Sequence, residues 1–112
     1  MADLDDLRRL ALALPETEQG THFRLVDFKV RGKGFAGLLP NGHAGVSVPA
    51  EQVPALVAEH PVLTELRRFD KVIGVELDLG EVEEDLLGRL VELAWRSRAP
   101  KRLVAAWEVG NR

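Results

Sequence analysis

The chain has 112 residues, 46% of them hydrophobic, with 15 lysines and arginines against 18 aspartates and glutamates. That is the size and balance of one globular domain, residues 1–112, able to bury its own core. It has no cysteine, which excludes disulfides, thiol nucleophiles and cysteine-based zinc sites. No apolar run reaches the roughly 18 residues of a membrane span, and the acidic start MADLDDLRRL is unlike a signal peptide. No membrane partner and a cytoplasmic location are therefore expected.

The first segment has helical spacing. Leu4, Leu7, Ala11 and Leu14 recur at three and four residues, Leu10 widens the stripe, and Pro15 stops it. Asp3, Asp5 and Asp6 suit the positive end of the helix dipole. From residue 25 the period becomes two. Val26, Phe28 and Val30 point one way, and Leu25, Asp27, Lys29 and Arg31 the other. Gly32-Lys33-Gly34 predicts a turn, and strands are expected over 35–39 and 43–48, parted by Pro40-Asn41-Gly42. Residues 50–60 predict a short helix with Pro54 in its first turn. Strands over 62–68 and 71–79 follow, the second with Ile73, Val75, Leu77 and Leu79 on one face and Val72, Gly74, Glu76 and Asp78 on the other. The longest helix is expected over 82–98, with Val82, Leu86, Leu90, Leu93 and Ser97 on its inner line. Pro100 opens a last short helix through Trp107. The fold class is α+β: an antiparallel sheet packed against helices, in the order α-β-β-β-α-β-β-α-α.

Catalytic motifs are lacking. His22, His43 and His60 fall in different elements with no second ligand at i+3 or i+4, so neither a metal nor another cofactor is expected. Gly32-Lys33-Gly34 lies between strands, and so reads as a hairpin rather than a phosphate loop. Ser47 has no nucleophile-elbow context and no base beside it. The acidic run from Glu76 to Asp85 is explained by a strand exit and a helix start without any bound cation. The chain reads as a non-enzymatic binding domain.

Charge is segregated within the net −3. Lys29, Arg31 and Lys33 form one basic group, and Arg96, Arg98, Lys101 and Arg102 a second. On one continuous strand, 29, 31 and 33 would share a face at about 6.5–7 Å intervals, close to the roughly 7 Å between phosphates along a nucleic-acid strand. The same charges also fit the solvated face of an ordinary antiparallel sheet. With no tyrosine, four phenylalanines and two tryptophans, the chain has little for base stacking, so phosphates rather than base edges would be read.

Four stretches in order, LPET at 14–17, THF at 21–23, FKVRGKGFAGL at 28–38 and AWRSRAPKRL at 94–103, resemble the MmcQ/YjbR-like family of small bacterial proteins. The resemblance implies an α+β fold similar to the frataxin-like proteins, described as a double wing, with a DNA-binding role proposed on fold and surface. Carried onto this sequence, the wing residues are Lys29, Arg31 and Lys33, and the terminal basic cluster is Arg96, Arg98, Lys101 and Arg102. Relatives place Gly and Pro after the His-Phe pair, where this chain has RLVD at 24–27. The expected function is weak, largely sequence-independent binding of DNA or RNA. The alternative is a protein- or small-molecule-binding module, including a homodimer, that uses the sheet face or the surroundings of His22.

Overall fold

The computed structural model describes residues 1–110. Helix α1 (Leu4–Leu12) opens on a capping box in which Asp3 accepts from the Asp6 amide and Asp6 returns the bond. Strands β1 (Thr17–His22), β2 (Leu25–Val30), β3 (Lys33–Leu38) and β4 (Ala44–Val46) follow. A 3-10 turn then leads into α2 (Val53–Glu59), strands β5 (Thr64–Arg68) and β6 (Lys71–Leu77), and helices α3 (Glu84–Arg98) and α4 (Lys101–Gly110). The expected order of elements holds, with β1 added ahead of the first expected strand.

The six strands form one antiparallel sheet in the order β1-β2-β3-β4-β6-β5. One face is the core face. Phe28, Ala36, Val46 and Val75 are register partners across four strands, and all are buried. Helix α1 places Leu7 and Ala11 against this face, and α3 adds Leu87, Leu90, Val91, Ala94 and Trp95, all at most 1% exposed. Trp95 lies inside the core, its indole Nε1 donating to the Pro15 carbonyl at 3.1 Å. Helix α4 docks through Trp107, whose ring meets Trp95 edge-on at 5.3 Å.

Three two-residue hairpins turn through Phe23-Arg24, Arg31-Gly32 and Phe69-Asp70, and all six of these residues have positive φ. Such turns match the right-handed twist of their strands. A non-glycine residue in that region costs about 1–2 kcal/mol, so the five that lack glycine's freedom are strained.

A displaced turn and a register irregularity correct the face assignments made from alternation. The turn falls at Arg31-Gly32 rather than at Gly32-Lys33-Gly34, so Lys33 begins β3 opposite Val30 while Lys29 lies opposite Gly34. Residues 29, 31 and 33 therefore do not form a straight ribbon: one is on β2, one in the turn, one on the neighbouring strand. On β6 a bulge opposite Leu66/Arg67 shifts the alternation. Ile73 consequently lines the face away from the helices, while Val72 packs against the core. Ser97, expected on the inner line of α3, is exposed in its last turn, where its hydroxyl donates to the Ala94 carbonyl.

Candidate functional site

The second face of the sheet is built from unusually small residues. Register partners read across it are Gly20, Asp27, Gly37, Gly45, Glu76 and Thr64. Gly34 adds another glycine opposite Lys29. Glycine weakens a strand interior, and in that setting often marks a place where a ligand or another backbone comes close. At Gly37 the requirement is steric: a Cβ would lie 2.9 Å from both Asp27 Cβ and the Val26 carbonyl oxygen.

Gly34, Gly37 and Gly45 pave a trough of about 430 Å³. Asp27, Lys29 and His22 stand on one side, and Leu66, Arg68 and Ile73 on the other; of the lining residues only Arg98 comes from a helix. Arg98 ends α3, a position that suits a cation at the negative end of the helix dipole. Among the described residues, Lys29, Arg68 and Arg98 have no ion-pair or hydrogen-bond partner through their side chains. Asp27 Oδ1 is buried and likewise lacks a partner.

The basic residues anticipated from sequence therefore separate. Lys29 and Arg98 meet at the trough. Arg31 is bound to Glu16, with its Nη2 3.2 Å from Glu16 Oε2 and a second, shorter contact from Nε. That hydrogen bond holds the Glu16 carboxyl below the ordinary carboxylate range and raises Arg31 in turn. Arg96 bridges Glu92 and Glu108 and lies over the Trp107 ring at 5.0 Å, so it fastens α4 to α3. Lys33, Lys101 and Arg102 are exposed outside the trough lining. Sequence reasoning missed Arg68. Its signal was the Arg67-Arg68 pair immediately ahead of a hairpin tip, which gains meaning only when β5 folds back beside β6.

Near the upper end of the same face, Glu76 accepts from Asn41 Nδ2 at 2.9 Å and lies 2.8 Å from His43 Nδ1. The Asn41 bond first, and His43 second, hold its carboxyl below the ordinary range. A carboxyl depressed in the folded state contributes stability that is present above its unfolded value and lost as pH falls through the folded one. Thermal melts should accordingly show stability declining below the ordinary carboxylate range. Glu76→Gln, which is already neutral there, should lose less over the same acid limb. Identical acid slopes for the two proteins would refute a role for Glu76.

A protein-family model described as YjbR matches residues 12–97. The chain belongs to the YjbR family. Among solved structures, the YjbR domain is similar to the Deinococcus radiodurans protein DR2400, a crystal structure with the family-model domain DUF419. The TM-score is 0.70 at 24% identity, over 85% of this chain and 77% of that one. That likeness bears on fold alone, and it agrees with the α+β sheet described above. No curated protein matches the sequence. Among the described residues of this YjbR domain, no three His, Cys, Asp or Glu side chains are grouped to hold a metal ion, and no helix is long and apolar enough to cross a membrane.

The trough floor itself can be tested. Adding a methyl at Gly34 would bring a Cβ to 3.4 Å from Asp27 Oδ2, an ordinary contact. Gly34→Ala should thus fold with unchanged or slightly raised thermal stability, because it restricts the unfolded chain. It should also narrow the trough and weaken any ligand bound there several-fold. A variant that binds as well as the parent would place the ligand elsewhere.

Proposed function

We propose that this YjbR domain binds nucleic acid electrostatically, through the glycine-floored face of its sheet rather than along a straight basic ribbon. The observation that carries this reading is the convergence of three unpaired cations, Lys29, Arg68 and Arg98, on one trough with no helix across it. Cations without protein partners remain free to neutralise phosphates, and releasing the displaced counterions makes such binding salt-dependent. The β1–β2 and β5–β6 hairpins at opposite edges of the sheet act as the two wings, and Lys33, Lys101 and Arg102 add weaker outlying charge. Binding is in the micromolar range or weaker, roughly 10⁻⁴ to 10⁻⁶ M at physiological salt.

Fluorescence anisotropy of short labelled oligonucleotides, titrated from low to physiological salt, tests the proposal. Three phosphate contacts on a single strand predict a log–log salt slope of about −2. No binding at low salt would dismiss it. A second reading, a protein- or small-molecule-binding module, is favoured by Phe23 and Phe69, exposed at 85% and 94% at two hairpin tips. It predicts salt-insensitive binding lost on Phe23→Ser.

A further inference from the structure

Strand β5 ends the sheet, and among the described residues no strand lies beyond it. The backbone groups on its outer side are a template for pairing with another strand. This edge is regular. The irregularity between β5 and β6 is taken up by β6, where Ile73 is passed over in the register, and β5 holds neither proline nor glycine. Charged side chains commonly guard such edges against indiscriminate pairing, and TELRR carries Glu65, Arg67 and Arg68. The order of these charges lets one pairing through.

Two copies related by a two-fold axis present the same surface to each other. With their helices on one side of the joined sheet, β5 pairs antiparallel and one residue meets its own counterpart at the axis. The registers that keep most of the strand are centred on Glu65, Leu66 or Arg67. The first opposes two glutamates and the last two arginines, and like charges directly opposite are destabilising. Centring on Leu66 instead sets Glu65 opposite Arg67 of the second copy, twice over, and Thr64 opposite Arg68. Within one chain Glu65 and Arg67 are exposed and 3.3 Å apart, so the pairing closes a square of alternating charge. On the trough face the half-buried Leu66 meets its counterpart at the axis. Phe69, 94% exposed one residue past the strand, comes beside residue 63, where the second copy enters its own β5. The other free edge, β1, has no such match: Glu18 is its one carboxylate, and it has no lysine or arginine.

We propose that this chain pairs with a second copy of itself through β5, in a two-fold dimer centred on Leu66. The two troughs then face the same way, and Arg68 of each copy lies beside Thr64 on the trough face of the other. The inference goes beyond the nucleic-acid reading and does not depend on it. Sedimentation equilibrium of the full chain, with no oligonucleotide present, tests it. Wild-type mass should rise with concentration from 12.4 kDa toward twice that value. Glu65→Arg alone and Arg67→Glu alone should each stay monomeric where the wild type is a dimer, because each brings like charges together. An equimolar mixture of the two should recover the dimer, since one chain then carries arginine at both positions and the other glutamate. Both substitutions on one chain should recover it as well. The two side chains are exposed, so circular dichroism should show all variants folded. A wild type that stays monomeric at millimolar concentration, a dimer that survives both single substitutions, or a mixture that remains monomeric would overturn the proposal.

Discussion

Replacing Arg68 with glutamate and Arg98 with glutamine should abolish oligonucleotide binding in the micromolar range, whereas Arg31→Glu with Lys33→Glu should lower affinity only a few-fold. The two pairs carry the same formal charge but differ in commitment. Arg31 already neutralises Glu16, and releasing it for a phosphate would strand that carboxylate; Lys33 lies outside the trough lining. Arg68 and Arg98 line the trough and have no ion-pair or hydrogen-bond partner through their side chains among the described residues. Glutamine is chosen at position 98 because a carboxylate at the end of α3 would oppose the helix dipole and confound the result with instability. Each lost phosphate contact reduces the single-strand salt slope by about 0.7, so the double variant should drop it by about 1.4 as affinity falls by at least about tenfold. Anisotropy against salt, with thermal melts as a folding control, reads both quantities. A stronger loss from the Arg31/Lys33 pair would return the interface to the β2–β3 hairpin.

The largest stability effect is expected at Trp95. Its side chain is fully buried, contacts Trp107 and donates to the Pro15 carbonyl, so one residue ties α3 to the α1–β1 connection and to α4. Trp95→Ala removes that burial and leaves a cavity, a change that costs about 3–5 kcal/mol. Against a total stability of about 5–15 kcal/mol, this would leave the domain marginal or unfolded. Trp95→Phe retains most of the apolar volume and loses chiefly the indole hydrogen bond, for about 1–2 kcal/mol. Urea unfolding of the two variants tests the ranking. A loss below about 1 kcal/mol in the alanine variant would mean that α4 collapses into the space and that the tryptophan pair is not central.

Strand β1 shows why part of the fold was not legible. Its sequence, TEQGTH, is polar, contains a glycine and lacks the alternation of a half-buried strand, because it is an edge strand with no fully buried residue. Its hairpin turns through Phe23-Arg24, neither residue being a usual choice at positive φ, so the Asn-Gly type of signal was missing as well. The strand exists because β2 is there to pair with it. The Lys29–Arg31–Lys33 row failed for a related reason: its spacing of two holds only while the strand continues, and placing the turn one residue earlier sends the three charges to three different places.

The sequence alone determined every helix and every strand except β1, where most of them stop, and most of the residues that form the core. Those are local matters of hydrophobic period, capping and chain-breaking residues, and they agree from Leu7 through Phe28 and Val46 to Leu90. It also determined the family, through four short stretches in order. Only the tertiary structure decided the site. Lys29, Arg68 and Arg98 come from β2, β5 and the end of α3, and they meet because the sheet places β6 beside β4 and so brings β5 across from β2. Their availability was equally invisible in the sequence, since an arginine is free or spent according to which carboxylate folding brings beside it. Charge along a chain is a local property; an unpaired charge facing a hollow is a property of the packed fold.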